Sequence, residues 1–202
     1  MTNPRKEIFN NLADTWDDYL NLSEENIRTI NCILDNSDIR DNDRILDVGS
    51  GTGVLIPYLL ERLGDWGSIV CIDMAEKMIR RARSKYPDSR VSFIADDVLK
   101  HSFEPEEFDQ IFIFSAFQHF EDKKSTIKVL REFLKPGGYL TISHVESSEV
   151  LNNFHKNLLT AILSTDYLPS IDEMLDLIDT TQWKVAEAKD QHKLYNFRLK
   201  KI

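Results

Sequence analysis

Short apolar runs alternate with segments of helical period along most of this chain, and that alternation narrows the folds open to it more than anything else. The runs at 44–48, 68–72, 91–95, 108–114 and 139–143 are rich in Ile, Val, Leu and Phe. Short branched runs bounded by turn residues read as buried strands. Between them, 54–63, 75–85 and 123–134 carry apolar residues every three or four positions, as helices with one buried face do. Pro57 is tolerable only near the first turn of its helix. Further helices are predicted at 148–164 and 171–180, and two terminal strands at 183–188 and 195–200. Strands joined through helices are parallel and have both faces covered, so the predicted class is α/β with a mostly parallel sheet.

Two more helical segments precede the first strand. In 6–20, Phe9, Leu12, Trp16 and Tyr19 fall at helical steps; in 24–34, Ile27, Ile30 and Leu34 do. A polar connector, 35–43, leads from them into the sheet. The expected organisation is one domain over 1–202. It comprises a helical cap at 1–40, a core at 41–143, an inserted helix over the cleft at 144–170, and a closing helix and strands at 171–202.

Composition removes several function classes. With 25 Lys+Arg against 34 Asp+Glu, the chain has a formal charge of −9, which argues against a nucleic-acid footprint. The longest apolar stretch, 111–117, is interrupted by Ser115 and falls far short of the ~20 residues of a membrane span. Met-Thr-Asn-Pro-Arg-Lys precedes no apolar signal region. Cys32 and Cys71 have no CxxC partner, so disulfide, zinc and redox readings are weak and a reduced cytoplasmic protein is expected.

The strongest motif is Asp47-Val48-Gly49-Ser50-Gly51-Thr52-Gly53, directly after a strand and before a helix. Glycines let a backbone turn sharply and approach a ligand closely, and amides at a helix start favour a negative group. The spacing is G-x-G-x-G, not the G-x-G-x-x-G of a dinucleotide site, and no Lys follows as in a P-loop. The second strand runs into Asp73 and Met74, about 20 residues on, where a carboxylate can accept two ribose hydroxyls. Met74 offers a polarizable face for adenine. After the third strand, Asp96, Asp97 and Val98 supply carboxylates and amides for an adenine edge. Three acidic positions at the carboxyl ends of three successive strands point to the edge where open parallel sheets bind ligands.

On these segments, with 108–120 and the Leu-Lys-Pro-Gly-Gly of 130–140, the chain resembles class I S-adenosylmethionine-dependent methyltransferases of the ubiquinone/menaquinone-biosynthesis-like group. The likeness spans about 45–143, roughly half the chain, and the glycine spacing argues against a nicotinamide oxidoreductase. It implies a Rossmann-like seven-stranded sheet with the last strand inserted antiparallel. The implied cofactor is S-adenosyl-L-methionine, leaving as S-adenosyl-L-homocysteine, and the implied partner is a small-molecule methyl acceptor. By the same resemblance Gly49, Gly51 and Gly53 hold the methionine portion and Asp47 orients the loop. Asp73 takes the ribose, Met74 packs on adenine, and Asp97 aligns with the adenine-amine acceptor, with Asp96 one residue away. Ser115 lines the sulfonium region. Phe9-x-x-x-Ala13-x-x-Trp16-Asp17 is similar to an N-terminal lid; Trp16 fits a lid aromatic and plain core equally.

General-base candidates come from five histidines. His101 and His192 lie in polar loop sequence. His119 and His144 follow the fourth and fifth strands, where each could take a proton from the acceptor. Ser148, Asn152 and His155 share a helix face and form either a polar ceiling or a solvated surface. A metal site at His144 and His155 has no ligand spacing behind it, and no metal is expected. Acidic residues such as Asp17 and Asp18 read as solubilising charge. The competing reading is a non-catalytic cofactor-binding module, and the assembly expected is a monomer or homodimer.

Overall fold

The structure is a computed structural model that describes residues 3–20, 22–157 and 162–202. Its seven strands follow the sheet order β3-β2-β1-β4-β5-β7-β6. The chain divides into two compact units, Met1–Ser102 and Phe103–Ile202, which are taken in turn.

In the first unit, β1 (Arg44–Val48), β2 (Ser68–Asp73) and β3 (Val91–Ala95) are parallel. Arg44 pairs with Ser68 and Val48 with Ile72, while Asp73 pairs with Ala95. This flush register brings the acidic strand ends to one edge. Ile45, Leu46, Ile69, Cys71 and Ile72 are fully buried and form the apolar strand faces. Helices α4 (Ile56–Leu60) and α5 (Glu76–Lys85) complete the crossovers, shorter than or close to the predicted spans.

The cap differs in detail from its expected form. The single helix expected at 6–20 is two, α1 (Pro4–Leu12) and α2 (Trp16–Leu20), while α3 (Glu24–Asp35) matches the second. α1 starts earlier because the Asn3 side chain accepts the Arg5 N–H at 3.0 Å and Pro4 needs no partner for its nitrogen. It stops because both the N–H and the hydroxyl of Thr15 turn back to the Leu12 carbonyl, at 3.0 and 3.4 Å. The Tyr19 side chain lies outside what is described.

In the second unit, β4 (Phe108–Phe114) and β5 (Leu134–His144) are parallel. β6 (Trp183–Gln191) and β7 (Leu194–Lys201) form an antiparallel hairpin, and β7 pairs antiparallel with β5. The final strand is thus inserted antiparallel, as the resemblance implies. β5 begins before the predicted 139 and includes Pro136 and Gly137, because Leu134 pairs with Phe108 across a register shift. Helix α6 (Lys123–Phe133) leads into it, and Phe108, Phe112, Tyr195 and Phe197 fill the core.

The helix expected at 148–164 is shorter. α7 (Ser148–Lys156) ends where the Asn157 N–H turns back to the Phe154 and His155 carbonyls. Residues 158–161 lie outside the described residues, and a 3-10 turn follows at Leu163–Thr165. α8 (Ile171–Leu177) also stops early, though its start carries a reciprocal Ser170–Glu173 cap.

Two left-handed glycines separate conformational cost from crowding. A Cβ on Gly53 (φ +86°) would lie 2.6 Å from Ile56 Cδ1 and 3.1 Å from the Tyr86 ring, whereas on Gly137 (φ +76°) the nearest atom is 3.8 Å away. Gly137→Ala should therefore cost about 1–2 kcal/mol, and Gly53→Ala clearly more, in urea unfolding. Equal losses would remove the crowding argument.

Candidate functional site

The loop after β1 is built from glycines in the left-handed region, with φ of 67° at Gly49, 54° at Gly51 and 86° at Gly53. Gly49 and Ser50 N–H donate to the Ile72 carbonyl at 2.8 and 3.2 Å, and Gly53 N–H to Ser50 at 2.9 Å. Gly51 N–H donates to Asp73 Oδ2 at 2.9 Å. The amides expected to meet a negative group are thus used inside the fold, and carboxylates dominate the loop instead. Asp73 also accepts the Ala75 N–H at 2.8 Å, tying the loop to the start of α5.

Asp47 is 2% exposed, and its Oδ2 has no hydrogen-bond partner. Burial, helped by the Asp73 charge, pushes its carboxyl up to about 7. A buried carboxylate with an open oxygen, beside a second carboxylate, is a site for a cation or a hydrogen-bond donor. That donor set fits the ammonium, sulfonium and ribose hydroxyls of an S-adenosyl group.

Trp16 packs as a core residue and also reaches the glycine loop. It packs edge-on against Phe9 at 5.6 Å and joins the Ala13–Ala75–Met78 cluster. Its indole nitrogen also lies 3.5 Å from where a Cβ on Gly51 would stand. Asp17 was the residue that sequence reasoning missed. It accepts the Thr52 hydroxyl at 2.5 Å and Lys85 Nζ at 2.9 Å, pinning α2 to the glycine loop. Burial pushes the Asp17 carboxyl up, but Thr52, Lys85 and Arg81 outweigh it and hold it below the ordinary range. Its place next to Trp16 in the lid pattern was the available signal. α1 is fastened to α5 by Lys6 to Glu76 at 2.6 Å and by Asn10 to the Lys77 N–H at 2.9 Å.

Met74 is half-buried directly after β2, and Val98 is buried. Asp96 accepts the Asp97 N–H at 2.8 Å and faces His101 Nδ1 at 2.9 Å. Asp97 accepts the Leu99 N–H at 3.1 Å and pairs with Lys100 at 3.0 Å. Both aspartates have turn-forming roles in this structure.

In the second unit, Ser115 follows β4 at φ 53°, a strained position for a residue with a side chain, with its N–H held by the Ser143 carbonyl at 2.9 Å. His119 ends the 3-10 turn Phe117–His119, and its Nδ1 lies 2.5 Å from Asp166 Oδ2. Asp166 is 47 residues away in sequence, and no local pattern marks it. His155 Nδ1 meets the Asp166 carbonyl at 3.2 Å, and the His119 and His155 rings are 5.8 Å apart.

His144 does not fit the base role expected of it. Its Nδ1 accepts the Glu146 N–H at 3.0 Å. Burial, then repulsion from His155 and His119, pushes it down to about 3, so it stays neutral and its remaining ring nitrogen is a donor. The Ser148–Asn152–His155 face is occupied structurally. Ser148 N–H bonds Asp190 at 2.9 Å, and Asn152 clamps both backbone groups of Leu168 at 2.8 and 2.9 Å. Among the described residues, no group of three or more His, Cys, Asp or Glu is placed to hold a metal ion. No helix among them is long and apolar enough to cross a membrane.

Residues 39–199 match the family described as Methyltransferase domain. The chain is 33% identical over 138 residues to malonyl-[acyl-carrier protein] O-methyltransferase of Priestia megaterium, covering 68% of this chain and 50% of that protein. It is 28% identical over 159 residues to ubiquinone/menaquinone biosynthesis C-methyltransferase UbiE of Wigglesworthia glossinidia brevipalpis, covering 76% and 63%. The chain thus spans about half the length of the first of these relatives and under two thirds of the second. In fold it is similar to a chain in the complex between the Haloferax volcanii Trm112 methyltransferase activator and a methyltransferase, with TM-score 0.77, 20% identity and 96% of each chain covered. It is likewise similar to a SAM-dependent methyltransferase of Aquifex aeolicus, with TM-score 0.66, 20% identity and 85% and 88% covered.

Asp47 sets a pH dependence of defined sign. Its folded carboxyl holds a proton more tightly than the unfolded one, so its contribution is complete below about pH 4 and lost as pH rises through about 7. Asp47→Asn should remove that decline, gaining up to roughly 4 kcal/mol over wild type between pH 4 and 8. Urea unfolding across that range checks it; a pH-independent difference would show that Asp47 titrates normally.

Proposed function

The chain belongs to the methyltransferase domain family, and from that premise we propose that it transfers a methyl group from S-adenosylmethionine to a small-molecule acceptor. The observation that carries the reading is the pairing of buried Asp47, its Oδ2 unpartnered, with half-buried Asp73, which holds the Gly51 amide. Both relatives' names support a small acceptor, one modified on oxygen and one on carbon.

When bound, S-adenosylmethionine supplies an electrophilic methyl on a sulfonium. Asp47 and the loop of Gly49, Gly51 and Gly53 would hold its methionine portion, and Trp16 would cover it. Asp73 would accept the ribose hydroxyls, Met74 would pack on adenine, and Asp96, Asp97 and Val98 would border the adenine edge. Ser115 would line the sulfonium region, and His119 would take the acceptor's proton. Methyl transfer is an in-line displacement, so the protein contributes chiefly by placing the reactants and accepting that proton. A cytoplasmic protein, monomeric or a homodimer, belongs to the same reading.

Asp73→Asn keeps the side chain's shape and one acceptor for the loop amides while removing the charge. It should weaken S-adenosylhomocysteine binding by about 10- to 100-fold, since hydrogen bonds to charged groups contribute about 1.5–3 kcal/mol. Calorimetric titration measures this, with a thermal melt as control for folding. Unchanged affinity would end the assignment of Asp73 to the ribose.

A further inference from the structure

One face of the sheet in the C-terminal unit is polar although it is buried. Residues directly opposite across paired strands share a face, so Tyr139, Thr141 and Ser143 of β5 stand with Lys200, Arg198 and Asn196 of β7. On the flanking strands the same face continues with Phe112 and Phe114 of β4 and with Lys184, Glu187 and Lys189 of β6. Thr141, Ser143, Asn196 and Arg198 are none of them more than 5% exposed. The Thr141 hydroxyl, the Ser143 hydroxyl and Asn196 Oδ1 have no hydrogen-bond partner. Buried polar atoms are almost always satisfied, and three that are not, in one patch, make a place for a ligand.

The patch has a definite polarity. Asn196 Nδ2 donates to Glu187 Oε2 at 2.5 Å; a carboxylate accepts, so the orientation of the amide is settled and Oδ1 is the acceptor left over. Lys189 pairs with the same carboxylate. Both hydroxyls can donate, and Arg198, opposite Thr141, sets its guanidinium 3.8 Å over the Tyr139 ring. A guanidinium keeps its charge at any ordinary pH and has five donors, so it can serve a ligand alongside its other contacts. Lys200 lies 5.3 Å from the same ring. On a chain of net charge −9, this face sets Arg198, Lys200, Lys184 and Lys189 against Glu187. Donors thus gather at Thr141, Ser143 and Arg198, with one acceptor beside them at Asn196.

We propose that this face of β5 and β7 is a binding site for a small hydroxycarboxylate. Its carboxylate meets the Thr141 and Ser143 hydroxyls and the Arg198 guanidinium, and its hydroxyl donates to Asn196 Oδ1. Arg198 and Asn196 are two residues apart on β7, about 7 Å along the strand, which sets the ligand's two ends about three carbons apart. A single negative charge suits the patch, because the Glu187 carboxylate and Asn196 Oδ1 would repel the further charge and oxygens of a phosphate. The site is built from the C-terminal unit alone and does not depend on the methyltransferase reading.

The test titrates the full chain, without cofactor, with 4-hydroxybutyrate, butyrate, 1,4-butanediol and inorganic phosphate. Proton–nitrogen spectra follow the Nε–H resonance of Arg198, identified by its loss in Arg198→Lys, and calorimetry gives the affinities. 4-Hydroxybutyrate should shift the resonance to saturation, and butyrate should bind about 10-fold more weakly for want of the hydroxyl. Butanediol and phosphate should leave the resonance in place. Thr141→Val and Ser143→Ala should each weaken 4-hydroxybutyrate about 10-fold without lowering the melting temperature, since neither hydroxyl bonds to the protein. The site is overturned if neither carboxylate shifts the resonance, if phosphate or butanediol binds as tightly as 4-hydroxybutyrate, if butyrate matches it, or if both hydroxyl variants keep wild-type affinity. Absent S-adenosylhomocysteine binding, measured separately, would take down the methyltransferase reading and leave this site to its own titration.

Discussion

Two carboxylates at the ends of adjacent strands, Asp47 and Asp73, the second holding the Gly51 amide, are the constraint on which the N-terminal unit turns. Parallel pairing of β1 and β2 sets their ends level, so the loop leaving β1 meets the acid leaving β2. Asp73 spends backbone hydrogen bonds on both Gly51 and Ala75, and by doing so joins the glycine loop to the start of α5. Burial, and then the nearby Asp73 charge, make Asp47 hold its proton more tightly than a free carboxyl does. A positively charged group beside Asp47 would offset that cost. A strained acid pair of this kind is more readily explained by a ligand than by folding.

The N-terminal helices are organised around the same loop. Trp16 sets its indole beside Gly51, while Asp17, one residue on, fixes the helix through Thr52 and Lys85. Neighbouring residues on a helix point in different directions, so a single turn reaches both the apolar cluster and the polar loop. The charged contacts from α1 to α5 are largely exposed and contribute little stability individually. Their value is in placing Trp16, which packs against the Ala13–Ala75–Met78 cluster.

In the C-terminal unit the polar groups that meet come from elements far apart in sequence. Ser115 and Gln118 follow β4, His155 lies on α7, and Asp166 lies beyond the 3-10 turn. Asn152 holds Leu168 by both backbone groups, which fastens the segment that carries Asp166. The helix face that read as either ceiling or solvated surface is therefore a structural brace. Three histidines stand near one another, yet their environments divide them. His144 is kept neutral as a donor, while His119 has its ring set by a buried carboxylate.

The alternation of branched runs with helical periods already determined the α/β class, because a strand buried on both faces has no other composition open to it. The glycine loop and the acids at the ends of β2 and β3 were equally legible, since a left-handed turn requires glycine and strand ends are marked by where apolar runs stop. Helix ends were less so: α1 gained a start at Asn3-Pro4 and lost its middle at Thr15, where side-chain hydrogen bonds to backbone decide. What only the tertiary structure decided was which polar groups meet. That Asp17 binds Thr52, that Glu146 takes the His144 lone pair, and that Asp166 orients His119 leave no local pattern. Each depends on distances set by packing, whereas periodicity in a sequence reports only which way a side chain faces.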